Sequence, residues 1–137
     1  MGNKHPIQKI NFEDMQNFIK STNIIISTLP SNNQYCLIPN TLDPASEIKL
    51  LNELLNKNTN TPLIIYGMNS CDNSLIKKYN QLNKLGFSQI YVYPGGIFEW
   101  LLLQDIYGED SFPTTKKELD ILKYKGNSFK NLLQITN

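Results

Sequence analysis

The chain has 137 residues, enough for one domain that buries about 65–70% of its unfolded surface and needs no staples. Its net charge is +1 and its pI near neutral, so bulk electrostatics favours neither nucleic acid nor an acidic membrane. All side-chain cations besides the lone histidine are lysines, because arginine is absent.

Two cysteines, Cys36 and Cys71, make no disulfide framework in a chain of this size. No apolar run reaches membrane-spanning length, and the start lacks a signal-peptide apolar region. The expected setting is soluble, reducing and cytoplasmic, with no membrane and no nucleic acid as partner. Met1-Gly2 begins half of an acylation pattern, but Pro6 stands where Ser or Thr is needed.

In chain order, residues 1–9 are polar and read as a disordered N-terminus carrying the only histidine, His5. Residues 10–137 read as a single domain. Ile10 to Lys20 reads as a short helix with Asn11 as cap, Asp14 in the first turn, and Ile10 stapled to Met15. Asn23 to Leu29 is a β-branched run suited to a buried strand. After the turn cluster Pro30 to Asn33, Gln34 to Ile38 reads as a second short strand.

Asp43-Pro44 is a helix start, with Ile48, Leu51, Leu54 and Leu55 as one apolar stripe. Leu63 to Tyr66 is the next strand. Leu75, Tyr79, Leu82 and Leu85 then lie at helical spacing, and Gly86 ends that helix. Phe87 to Tyr93 is another strand. Pro94-Gly95-Gly96 turns into a helix that is apolar on most sides, with Trp100 in the core. Thr115 with Glu118 forms a capping box for a helix through Leu122. A basic end follows, in which Phe129, Leu132 and Leu133 fall at contact spacing. Strands alternating with helices imply an α/β fold in which helices cover both faces of a parallel sheet.

Ligands of such sheets bind at the carboxyl ends of strands, where the segment Gly67 to Ser74 lies. Strand, glycine, polar loop and helix in that order turn backbone N–H groups and the positive end of a helix dipole toward one point. Such a cradle suits an anion or a cysteine nucleophile, and Cys71 is in the loop. Cys71 is in mid-loop rather than at the strand end, however, and Asp72 places a negative charge beside it. A Cys–His pair is set aside because His5 lies far away in sequence. Phosphate-ester chemistry by a cysteine loop needs an arginine fork, which this chain cannot supply. Cys71-Asp72 is too few ligands for a metal, and Asp105, Glu109 and Asp110 read as a solvated turn after a helix end. Neither metal nor cofactor is expected.

The chain resembles the rhodanese-like domain family over residues 10–108, with a C-terminal extension at 109–137. Leu63 to Tyr66, the loop after it, LNKLGFSQIYVYPGGIFEW and the following helix look like that family's strand, active-site loop, LGF strand and GG…W element. Leu37-Ile38-Pro39-Asn40 is similar to its HIPGA box, and Asn23 to Leu29 stands where its IDVR strand lies. The loop's Y-G-x-N-x-x-D pattern is similar to a divergent branch in protists and their large DNA viruses, which for a viral chain means a host cytoplasm. The resemblance implies a three-layer fold with a parallel central sheet. Active members place the catalytic cysteine directly after the strand, where this chain has Gly67; Ser27, Thr28 and Leu29 replace the early Asp and Arg, and Leu37 replaces the histidine.

The expectation is therefore a catalytically degenerate domain that binds a protein partner or small anion through Gly67, Met68, Asn69, Ser70, Asp72, Asn73 and Ser74. Asn69 and Asp72 would shape the loop by bonds to its amides. The alternative is a sulfurtransferase that takes sulfur from thiosulfate or a persulfide donor on Cys71.

Overall fold

The computed structural model describes residues 7–128. A four-stranded parallel sheet forms from β1 (Gln8–Lys9), β2 (Ile24–Ser27), β3 (Leu63–Tyr66) and β4 (Ile90–Tyr93), in the order β1-β4-β3-β2. Four helices accompany it: α1 (Phe12–Phe18), α2 (Pro44–Lys57), α3 (Asn73–Leu85) and α4 (Gly96–Tyr107). β3 is central, paired in register with β2 (Ser27 beside Tyr66) and with β4 (Tyr66 beside Tyr93).

Strand side chains alternate between two cores. Ile25, Ile64, Tyr66 and Tyr93 point to the face that holds Met15 of α1 and Ile97, Trp100 and Leu101 of α4. Ile26, Leu63, Ile65 and Val92 point to the opposite face, against Leu51 of α2 and Leu75 and Leu82 of α3. The fold is therefore a three-layer α/β arrangement, as expected from the alternating strands and helices.

Local chemistry explains the element ends. Asn11 and Asp14 form a reciprocal capping box at α1, and Asp43 caps α2 with Pro44 at its first position. Gly86 closes α3 in the left-handed conformation, φ 111°.

Several expectations need correction. Gln8 and Lys9, expected in a disordered stretch over residues 1–9, form β1, and Ile10 N–H continues its ladder to Val92 O (2.8 Å). Residues 1–6, with His5, lie outside the described residues. Gln34 to Ile38 is not a strand. Its backbone is claimed elsewhere: Ile38 N–H donates to Tyr66 Oη (3.1 Å), and Leu37 N–H to Thr115 Oγ1 (3.0 Å). Thr115 and Glu118 cap no helix. Thr115 N–H donates to Leu37 O (2.8 Å), and the Glu118 carboxylate accepts from Asp120 N–H and pairs with Lys123, so only a 3₁₀ turn forms at Ile121–Tyr124. Ile48 and Leu85 leave their stripes and are exposed. Phe129, Leu132 and Leu133 lie outside the described residues.

Gly96 starts α4 at φ 66°, and a side chain there would put Cβ 2.5 Å from Gly67 O. Gly86→Ala meets nothing within 4 Å and pays only for its positive φ, about 1–2 kcal/mol. Gly96→Ala meets strain and backbone together and costs about 3 kcal/mol or more. Urea unfolding of both variants checks this; equal losses would contradict the close approach of α4 to the β3 loop.

Candidate functional site

The segment Gly67 to Asp72 leaves the carboxyl end of β3 and enters α3, whose N-cap is Asp72. Tyr66 anchors its root, buried, with its hydroxyl accepting from Ile38 N–H and bonded to Thr41 Oγ1 (2.8 Å). α4 fixes the other side: Ile97 N–H donates to Gly67 O (3.0 Å) and Phe98 N–H to Met68 O (2.9 Å). The loop is thus held between the central strand and the start of α4.

Inside the loop, two side chains take up the backbone amides. Asp72 Oδ2 accepts from Met68 N–H (2.9 Å). Its Oδ1 accepts from Ser74 N–H (2.9 Å) and from Ser74 Oγ–H (2.7 Å). Hydrogen bonds to a charged group contribute about 1.5–3 kcal/mol each, and a carboxylate at a helix N-terminus also gains from the dipole. Asn69 Oδ1 accepts from Cys71 N–H (2.9 Å), and Asn69 O accepts from Asp72 N–H (3.2 Å). Both residues shape the loop as their positions suggested, with one consequence that sequence did not reveal. The amides of Met68, Cys71 and Ser74, which could have faced a ligand, bind the loop's own carboxylate and amide oxygens.

Gly67 shows what this does to the strand end. A Cβ built on Gly67 would lie 2.8 Å from Asp72 Oδ2 and 2.8 Å from Thr28 Oγ1. Thr28 Oγ1 in turn lies 2.9 Å from Ser74 Oγ, within hydrogen-bond distance. The place where a side chain at the strand end would project is filled by a carboxylate and a hydroxyl.

Cys71 is exposed. Its Sγ sits beside the chain at Gly126, where an added Cβ would be 3.3 Å from the sulfur. Asn69, buried, donates Nδ2–H to Tyr124 O (2.8 Å). Met68, Asn69, Cys71, Asp72, Asn73 and Ser74 share a cleft of about 550 Å³ with Thr28, Pro30, Lys125, Gly126 and Asn127. Gly67 lies behind it, buried, and Ser70 is exposed outside its lining. Thr28 and the 124–127 segment are the site residues that sequence reasoning missed. Lys125-Gly126 broke the polar tail with a glycine, but nothing in its spacing showed that it returns to the loop.

Cys36 is not part of this site. It is buried, its thiol donates to Lys116 O (3.2 Å), and burial pushes the thiol up. Among the described residues no group of three or more His, Cys, Asp or Glu side chains could hold a metal ion. Glu109 pairs with Lys117 (3.5 Å) on an exposed surface. No described helix is long and apolar enough to cross a membrane.

The family profile of the rhodanese-like domain matches residues 19–103. Among solved structures, the crystal structure of the Alr3790 protein from Anabaena sp. is similar in fold, with a TM-score of 0.57 at 15% identity. The match covers 83% of this chain and 97% of that one. The Rhodanese_3 like domain of the same Anabaena protein matches at 17% identity with a TM-score of 0.48, covering 69% of this chain and all of that one (100%). No curated protein matches in sequence.

Two phenols beneath the loop set an alkaline limit. Burial pushes Tyr66 above its ordinary value near 10. Burial also raises Tyr93, helped by the Glu99 carboxylate that accepts its O–H (2.6 Å). Above about pH 10 the unfolded chain loses these protons while the folded chain keeps them. Their contribution to stability is whole below that pH and falls as pH rises further. Urea midpoints should therefore decline above about pH 10, and Tyr93→Phe should flatten the decline; an unchanged slope would contradict it.

The profile spans more than half of the chain, and the three-layer sheet, the loop after the central strand and α4 seated against that loop agree with it: the chain belongs to the rhodanese-like domain family.

Proposed function

We propose that this rhodanese-like domain is catalytically degenerate and works as a binding or regulatory module through the 67–74 loop. The observation that carries this is Gly67. It stands at the strand end, with the Asp72 carboxylate and the Thr28 hydroxyl in the space of a side chain. The strand-end position therefore offers no nucleophile and no room for one in this loop conformation.

The same packing bears on the ligand. A small anion or sulfur donor entering the cradle would displace Asp72 from the amides of Met68 and Ser74 and face its charge. A protein partner has an easier surface, since Ser70, Cys71 and Asn73 are exposed at the loop's crest. The module contacts a protein through that crest.

One observation favours a second reading, sulfur transfer on Cys71: the thiol is exposed and lines the cleft. Against it, Cys71's own N–H is given to Asn69, and the amides of Met68 and Ser74 are given to Asp72. These amides do not converge on the sulfur. Cysteines are reactive where such groups stabilise the thiolate.

A thiosulfate–cyanide assay separates the two. The protein should form thiocyanate no faster than the uncatalysed background, and Cys71→Ser should behave identically. Thiocyanate formation above background that disappears in Cys71→Ser would overturn the degenerate reading and establish Cys71 as nucleophile.

A further inference from the structure

The 119–127 segment reaches the candidate site with its 124–127 end and is held there by a small set of contacts. Its backbone bonds are local: Ile121 N–H to Leu119 O (3.1 Å), Lys123 N–H to Asp120 O (3.4 Å) and Lys125 N–H to Leu122 O (3.1 Å). Among the described residues no backbone bond ties it to the sheet. Leu119 and Leu122 are exposed, 81% and 63%, so they do not anchor it. The anchor is Tyr124, fully buried in the core that contains Tyr66, Trp100 and Phe112, with Ile121 packed partly against the same cluster.

That anchor has a flaw. Among the described residues the buried Tyr124 hydroxyl has no partner at hydrogen-bond distance, with the Lys123 ammonium nearby but outside that distance. Lys123 extends over the ring face, 5.1 Å from its centroid, and pairs with Glu118 within the same stretch of chain. A buried hydroxyl without a partner loses its hydration and gains nothing in return, which favours states in which the ring withdraws to water. Buried apolar ring and unsatisfied hydroxyl therefore pull in opposite directions.

Where the segment crosses the loop it touches the residues that shape it. Tyr124 O accepts from Asn69 Nδ2–H, and Asn69 is the residue whose Oδ1 holds Cys71 N–H. Gly126 is seated against Cys71 Sγ, and Lys125, Gly126 and Asn127 form one wall of the cleft.

We propose that residues 119–127 are a strap that opens and closes over the 67–74 loop, with Tyr124 as its latch. The unpartnered Tyr124 hydroxyl keeps the closed state poised for release. Opening withdraws the Asn69 bond and removes the wall at 125–127, which uncovers Asn69 and widens the cleft beside Cys71. This regulation rests on reading the loop as the working surface, but opening of the strap can be measured without any ligand or sulfur chemistry.

Hydrogen exchange read by mass spectrometry on the full chain tests it, with Tyr124→Phe and Tyr124→Ala beside the parent. Tyr124→Phe removes the unsatisfied hydroxyl and keeps the ring, so exchange in peptides covering 119–127 and 67–74 should slow together by roughly fivefold or more. Tyr124→Ala removes the ring, so the same peptides should exchange faster by roughly tenfold or more while α2 peptides stay as they were. Unchanged exchange in Tyr124→Phe would overturn the poised latch. Strap peptides that change while loop peptides do not would overturn the gate. If the alanine variant fails to fold, the phenylalanine variant decides alone. Thiocyanate formation tests the loop's chemistry separately, so the strap and the degenerate reading can fail independently.

Discussion

The carboxylate of Asp72 accepts from the Met68 amide, the Ser74 amide and the Ser74 hydroxyl at the carboxyl end of the central strand. One side chain thereby caps α3, folds the loop back toward β3 and occupies the space in front of Gly67. Three charge-assisted bonds at a helix N-terminus outweigh any single contact elsewhere in the loop. The fold supplies the place and direction of the cradle, and Asp72 decides what fills it. The glycine at position 67 and the carboxylate at position 72 are two sides of one packing arrangement.

Around that carboxylate the neighbouring elements are tightly fitted. α4 delivers the Ile97 and Phe98 amides to Gly67 O and Met68 O, possible only because Gly96 carries no side chain. Tyr66 and Tyr93 lie side by side in register below the loop, each with its hydroxyl bonded, one to the 38–41 turn and one to Glu99. Among the described residues the 119–127 side carries the one buried side-chain polar atom without a partner, the hydroxyl of Tyr124. The floor of the site is thus fully bonded, and the proposed strap lies on the side where local opening costs least.

Much of the fold could be read from the sequence because it is written locally. β3 falls where its apolar run predicted, Asp43-Pro44 starts α2, and Gly86 ends α3. These depend on period, caps and φ, which neighbours in sequence decide. The segments misread, 8–9, 34–38 and 115–122, contain backbone groups whose partners lie far away in the chain: β4 for the first, Tyr66 and Thr115 for the second, and Leu37 for Thr115 in the third. Propensity carries no trace of such partners. In the site the loop residues were legible as a set, but their state was not. Sequence shows that Gly67 lacks a side chain; only coordinates show that Asp72 and Thr28 stand in its place.

The Asp72 carboxylate, with Thr28, fills the space of a side chain at position 67. A double-mutant cycle of Gly67→Ala and Asp72→Ala, followed by urea unfolding, measures it. Gly67→Ala alone should destabilise the protein, because its Cβ would meet Asp72 Oδ2 and Thr28 Oγ1, each at 2.8 Å. In the Asp72→Ala background that cost should shrink, giving a coupling of about 1–3 kcal/mol. Costs that simply add would contradict the claim and leave the cradle open for another occupant.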